Sequence, residues 1–195
     1  MRILIAGDSF AAKWPNASIG WVDLLAKEHE VTNVAQAGVG EYKIYKQIET
    51  INQHLYDCII VSHTSPSRIH TPNHPIHKTG FHKDCDLILT DINENFSLFD
   101  GNLKTAQGWF KYHYDDEYQL DVYRLLRKEI NSIITIPYIS LSHIEILKKL
   151  SIEKNHFDFS RLWSSERGLI NHYTEKGNKV IFELLSQFLR NKEYG

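Results

Sequence analysis

Cysteine is scarce: Cys58 and Cys85 are the only two in 195 residues, too few for the disulfide framework of a small secreted chain and in keeping with a reducing compartment. An excess of one charge is lacking too. Lys+Arg 22 against Asp+Glu 24 leaves a net charge of -2, with no long run of either sign to gather a nucleic acid or an anionic membrane. No stretch approaches the roughly 18 consecutive apolar residues of a membrane span, and the N-terminal run Ile3-Leu4-Ile5-Ala6 is too short for a signal-peptide core. The expected setting is cytoplasmic, with no nucleic-acid and no membrane partner. Internal repeats and low-complexity tracts are missing as well. What is present, 42% hydrophobic and 24% charged residues, suffices for an ordinary core. The length fits one domain over residues 1–195, and nothing in it fixes an oligomeric state.

Apolar periodicity then sets the architecture. Ile3 to Ala6, Val31 to Ala35 and Asp57 to Ser62 read as short buried strands, and Ser132 to Ile136 as a further strand ended by Pro137. Between them, Gly20 to Lys27, the Ile44, Ile48, Ile51, Leu55 series and Asp115 to Ile130 carry helical spacing. Val180, Ile181, Leu184, Leu185, Phe188 and Leu189 form the stripe of a terminal amphipathic helix. Strands alternating with helices predict an α/β three-layer sandwich: a mostly parallel, flavodoxin-like sheet covered on both faces. Residues 62–84, rich in Pro, His and Thr, break the pattern and are placed as a long loop above the C-terminal edge of the sheet. Residues 140–169 fit no single element.

In open parallel sheets ligands bind beyond the carboxyl ends of the strands, which singles out four places. These are Gly7-Asp8-Ser9-Phe10, Gly38-Val39-Gly40, His63-Thr64-Ser65-Pro66-Ser67-Arg68 and Asn171-His172. A serine at a strand-to-helix turn after a small residue is exposed beside unused backbone N–H groups and needs only a base to become a nucleophile. For an isolated Gly-Asp-Ser the simpler reading is a helix cap.

The ordered set resembles the SGNH or GDSL hydrolase superfamily. Its Gly-Asp-Ser motif follows the opening strand and its catalytic His lies just before the last helix, places held here by Gly7-Asp8-Ser9 and His172. Asn33-Val34-Ala35-Gln36-Ala37-Gly38 is similar to the second motif, so the resemblance implies Gly38 as an oxyanion-hole donor beside the N–H of Ser9. Two positions depart from the pattern. Where the family has Gly-x-Asn-Asp this chain has His63-Thr64-Ser65-Pro66, making Ser65, or Thr64 if the register slips by one, the replacement hydroxyl donor. Leu169 stands three residues before His172, where the family places its acid. Glu166, a backbone carbonyl or another loop carboxylate is left to take that part.

Rival motifs are weaker. Gly7-Asp8-Ser9-Phe10-Ala11 misses the nucleophile elbow at its last residue and comes too early in the chain. Gly38-x-Gly40 lacks the third glycine of a dinucleotide fingerprint, since Lys43 stands there, and there is no phosphate loop. His70, His74, His77 and His82 concentrate four of the 11 histidines, with Asp84 and Cys85 beside them. Such spacing suits zinc, but Pro72 and Pro75 preclude one helical face, so a solvated or substrate-facing loop is the simpler reading and no metal is assigned. His63 and Arg68 flank the oxyanion segment, and the Arg68 fork suits either an anionic substrate group or loop carbonyls. Trp109-Phe110-Lys111-Tyr112-His113-Tyr114 reads as core packing before ligand stacking, while Trp14 is a candidate for the pocket mouth.

The leading expectation is a serine hydrolase, an esterase or deacetylase needing no cofactor, that acts on a small-molecule or carbohydrate ester. Ser9 and His172 form its catalytic dyad, and Asp8 and Asn171 support the loops. The alternatives are a catalytically weak binding or regulatory protein of the same fold, and an acyltransferase. As the base, an ordinary imidazole makes activity rise between pH 5 and 8.

Overall fold

The computed structural model describes residues 1–15, 19–95, 100–148 and 153–193. Five strands, β1 (Arg2–Gly7), β2 (Glu30–Asn33), β3 (Cys58–Ser62), β4 (Tyr138–Ser142) and β5 (His156–Asp158), pair in parallel in the order β2-β1-β3-β4-β5. Alternation along each strand divides the core into two layers. Ile3, Ile5, Cys58, Ile60, Ile139 and Leu141 point to one face, where they meet Trp21 and Leu25 of α1 (Trp21–Leu25) and Ile181, Leu185 and Leu189 of α8 (Glu175–Glu193). Leu4, Ala6, Ile59 and Val61 point to the other, against Ile44 and Ile48 of α2 (Glu41–Glu49) and Ile130 of α5 (Asp116–Ile133). Helix, sheet, helix is the three-layer α/β sandwich that the alternation predicts. Each Ile or Leu fully buried this way contributes about 1.5–3 kcal/mol.

The apolar run 132–136 is not a strand. α5 continues to Ile133, and the fourth strand begins at Tyr138, after Pro137. The β-branched residues there imitate a strand, but Ile133, Ile134 and Ile136 serve as packing around the end of α5. Pro137 cannot donate to a ladder and so suits the approach to a strand; its carbonyl accepts from Ile59 N–H at 3.0 Å. The unassigned stretch after β4 becomes α6 (Glu145–Lys148), β5, α7 (Ser160–Ser165) and a short extended piece, β6 (Arg167–Ile170), that bridges to Tyr173.

The long loop runs from the end of β3 to α3 (Leu89–Glu94), somewhat further than the sequence suggests. An Ile69–Leu87 bridge and Lys43 of α2, whose Nζ bonds the carbonyl of Thr71 and pairs with Asp86 at 2.9 Å, tie it down. Beyond it, α4 (Gly101–Tyr112) packs Leu103 and Phe110 on Ile92, with Trp109 and Tyr114 against them. Trp109, Phe110 and Tyr114 of the dense aromatic stretch thus serve packing, while Tyr112 is 71% exposed.

A polar seam lies within the layer between sheet and α5. Arg127 donates from Nε to Glu153 Oε1 at 2.9 Å and pairs through Nη2 with Oε2 at 2.5 Å, and both side chains are 1% exposed. Nη2 also reaches Ser140 Oγ at 3.1 Å. Removing one partner of such a pair strands the other charge in a low dielectric. Arg127→Leu should lower unfolding free energy by about 3–5 kcal/mol, and Arg127→Leu with Glu153→Leu should recover most of it. Urea unfolding of the three proteins measures this, and a double variant as unstable as the single one would contradict it.

Candidate active site

The chain leaves β1 at Gly7, whose φ of +152° and missing side chain let it pass against Ser62 of β3. A tight turn follows, with Ala11 and Ala12 N–H both bonded to the carbonyl of Asp8 and Phe10 N–H bonded to Asp8 Oδ1 at 3.0 Å. The carbonyls that come next each accept from a side chain. Ser9 accepts from Trp14 Nε1 and Asn171 Nδ2, Phe10 from Trp21 Nε1, Ala11 from Asn33 Nδ2 and Ala12 from Asn171 Nδ2, at 2.7–3.3 Å. Five bonds from four side chains hold this turn, so Ser9 is carried on a rigid loop.

His172 meets it from the other end of the chain. Its Nε2 is 2.7 Å from Ser9 Oγ across 163 residues of sequence. Asn171 and His172 both have positive φ, 50° and 64°, a conformation that costs energy outside glycine. Asn171 bonding to the Ser9 loop, and Asn178 of α8 accepting from Trp21 N–H while donating to the carbonyls of Ile170 and Thr174, hold it there. The imidazole packs on Phe10, with ring centroids 4.5 Å apart, and meets Trp14 edge-on at 5.8 Å. Phe81 of the long loop lies 4.8 Å beyond Trp14.

No carboxylate bonds His172 Nδ1 among the described residues. Leu169 is 87% exposed. Glu166 is turned away, accepting from Thr174 Oγ1 at 2.7 Å and Lys176 Nζ at 2.8 Å, which lowers its pKa and pins the entry to α8. Burial, then the charges of Arg68 and His82, pushes the imidazole down to about 4. Burial likewise raises Asp8 to about 7 against the pull of Arg68. Asp8 holds its own loop, Oδ1 accepting from Phe10 N–H, and makes no bond to the ring among the described residues.

The other candidate residues separate into two groups. Gly38 has φ +76°, and a Cβ on it would lie 2.7 Å from the Cβ of Cys85. Its carbonyl accepts from Asp86 N–H and Arg68 Nη1. Neither Gly38 N–H nor Ser9 N–H donates to another described residue. Thr64 is fully buried, its hydroxyl close enough to the Asp8 carboxyl to favour the charged form, though outside ordinary hydrogen-bond geometry. Ser65 stands elsewhere. Its Oγ accepts from Ser67 N–H, and it lines a small cavity with Gly40, Tyr42 and His70. His63 turns into the polar seam, Nδ1 2.5 Å from Glu41 Oε1. Arg68, anchored on the carbonyl of Gly38, lends the site a positive charge.

Comparison with known proteins adds the following. No family model matches the sequence, and neither does any curated protein. Two solved structures are among those the chain is similar to. One is a Lactobacillus plantarum protein, 16% identical with a TM-score of 0.44, covering 97% of this chain and 96% of that one. The other, from Desulfitobacterium hafniense, is assigned to the lipolytic G-D-S-L family; it is 13% identical with a TM-score of 0.40, covering 95% of this chain and 98% of its own.

Two further contributors carry little local signal. Asp86, fully buried, accepts from Gly40 N–H at 2.6 Å and thereby fixes the Gly38–Gly40 turn. His143, fully buried, stacks on Phe10 at 4.3 Å and bonds the Tyr173 hydroxyl through Nδ1 at 2.7 Å and Ser62 Oγ through Nε2 at 3.1 Å. It touches the neighbours of both Ser9 and His172. Only contacts across the fold reveal it.

The depressed imidazole changes the expected pH behaviour. With its titration at about 4, His172 is neutral and able to accept a proton throughout the range in which an ordinary histidine switches. The rate at which a fluorophosphonate bonds Ser9 should rise as pH climbs through about 4 and then level off, rather than rise between pH 5 and 8. A second inflection near 7 that Asp8→Asn abolishes would belong to Asp8. A rate-versus-pH series on the two proteins measures both, and a single inflection at the ordinary imidazole value would contradict the burial of the ring.

Proposed function

We propose that the protein is a serine hydrolase of the SGNH type, cleaving an acyl ester through a Ser9–His172 dyad. The observation that carries the reading is the 2.7 Å contact between Ser9 Oγ and His172 Nε2 on loops that converge at the switch point of the sheet, between β1 and β3. In the reaction Ser9 Oγ bonds the acyl carbon while its proton passes to His172 Nε2. The negative oxygen so formed turns to the N–H groups of Ser9 and Gly38 and to the Thr64 hydroxyl. Collapse expels the alcohol, which takes the proton from His172, and water repeats the sequence on the acyl-enzyme.

Thr64 replaces Ser65 as the third donor in this reading, because its hydroxyl is buried beside Asp8 whereas Ser65 faces the small cavity with Gly40, Tyr42 and His70. Ring packing by Phe10 and Trp14 orients His172, but supplies no negative charge to the imidazolium. In a serine protease that charge is worth roughly 10⁴-fold, so turnover here is slow. The same observation favours a second reading, a binding protein on which the dyad survives without useful turnover. The alcohol half of the substrate is proposed to be a sugar or another small molecule, and a sugar that outcompetes water as acceptor would make the protein an acyltransferase.

Fluorophosphonate labelling followed by peptide mass spectrometry is the deciding test. An adduct on Ser9 is expected in the wild type and in neither Ser9→Ala nor His172→Ala. An unlabelled wild type, folded, would end the hydrolase reading, and an adduct without hydrolysis of any acylated sugar or simple ester would favour the binding protein. On a chromogenic acetyl ester, Thr64→Val should lower kcat by up to about 10²- to 10³-fold and Ser65→Ala should leave it nearly unchanged. The reverse ranking would return the donor role to Ser65.

A further inference from the structure

Away from the dyad, the long loop gathers a second set of reactive side chains. One ring nitrogen each of His74 and His77 and the sulfur of Cys85 all lie within 4.8 Å of one another. Cys85 is 2% exposed and His74 5%. His74 Nδ1 accepts from the backbone N–H groups of Ile76 and His77, at 3.2 and 3.1 Å, so the proton of the neutral ring sits on Nε2. That nitrogen is buried with no hydrogen-bond partner. A polar atom left in this state costs free energy, and here it belongs to a cluster of potential metal ligands. His77 is oriented as metal-bound imidazoles usually are. Its Nε2 lies 3.3 Å from Asp91 Oδ2, which holds the ring and presents the other nitrogen for coordination.

Pro72 and Pro75 preclude a helix that would align these histidines, yet none is needed. The short chain path from His74 places the His77 ring beside it, with ring centroids 4.8 Å apart, and the return of the loop supplies Cys85. We propose that His74, His77 and Cys85 bind one zinc ion, His74 through Nε2, His77 through Nδ1 and Cys85 through its thiolate. Two imidazoles and a thiolate suit zinc and exclude the oxygen-seeking magnesium and calcium. Three protein ligands leave a fourth position for water, which a cavity of about 670 Å³, with His74, His77 and Trp109 in its walls, admits.

Loading exchanges one proton for the cation. Cys85 releases its thiol proton to solvent as the sulfur–zinc bond forms. The His74 proton moves from Nε2 to Nδ1, freeing the Nε2 lone pair, and the N–H groups of Ile76 and His77 turn to water instead. Zinc enters and stays as Zn²⁺, so no oxidant or reductant takes part. The site fastens the loop behind Gly38, since Cys85 abuts that glycine and Asp86, the next residue, holds Gly40. The assignment is independent of the hydrolase reading.

Cobalt titration of the chelator-stripped full chain tests it. The wild type should develop a thiolate-to-cobalt charge-transfer band and tetrahedral visible bands that saturate at one ion per chain and are displaced by zinc. His74→Ala, His77→Ala and Cys85→Ser should each weaken binding by more than the roughly 10- to 100-fold that losing an outer hydrogen-bond partner of a metal ligand costs. Ser9→Ala should bind as the wild type does. Absence of the bands in the wild type, or their survival in Cys85→Ser, would overturn the proposal. Ring-nitrogen NMR of the wild type needs no variant that folds. Zinc should switch His74 from the Nε2–H to the Nδ1–H tautomer, and an unchanged His74 signal would also overturn it.

Discussion

Between the ends of β1 and β3 there is no room for a side chain: a Cβ on Gly7 would lie 2.6 Å from the carbonyl oxygen of Ser62. That close approach lets the two strands stay paired to their last residues, Gly7 opposite Ser62, and releases the chain in a direction that other residues disfavour. The amide of Gln47 grips the freed peptide from α2, accepting from Gly7 N–H at 2.8 Å and donating to its carbonyl at 3.2 Å. On the same Ser62, Oγ bonds His143, which in turn stacks on Phe10 and bonds Tyr173. The path on which the chain leaves β1 toward Ser9 therefore starts from one contact between two backbones, and Ser62 ties the same strand end to the His143–Tyr173 pair beside His172.

A consequence is that geometry and charge at the dyad are supplied by different means. Apolar packing and backbone anchoring fix where Ser9 and His172 meet. The same packing removes water from the ring and, with Arg68 nearby, disfavours its protonated form. An imidazole of this kind is always ready to accept a proton near neutral pH but is a weak base when it does. A partnering carboxylate would raise its basicity. Glu166, the nearest acidic group before it in sequence, is spent on Thr174 and Lys176. The order of the motifs thus gives no measure of catalytic strength.

Local pattern made much of this fold legible. Ile3–Ala6 and Cys58–Val61 are apolar runs that end in small or polar residues, and the alternation of strand and helix restricts how they stack. The pairing of Ser9 with His172 was implied by the resemblance that the ordered motifs carry, not by local pattern. What escaped depended on distance or on a single residue of register. The motif register favours Ser65, with Thr64 only after a slip of one residue, yet successive residues leaving a strand face opposite ways, and Thr64 is the one buried beside Asp8. The run 132–136 has strand chemistry, but the stripe of α5 reaches Ile133 and tertiary packing outweighs propensity. Asp86 and His143 act through partners far away in the chain.

The long loop joins these threads. It begins with Thr64, passes Arg68 over the carbonyl of Gly38, and returns through Cys85 and Asp86 to the turn it left. Its cost in conformational entropy is offset by anchors on α2, where Lys43 meets Asp86 and the carbonyl of Thr71, rather than by regular structure of its own. Both ends of the loop touch Gly38, so displacement of either end moves that glycine. Histidines that no periodicity aligns are brought together by that same closure. In this protein the edge that carries the dyad is built as much by an irregular segment as by the sheet, and rigidity there comes from many single bonds to distant residues.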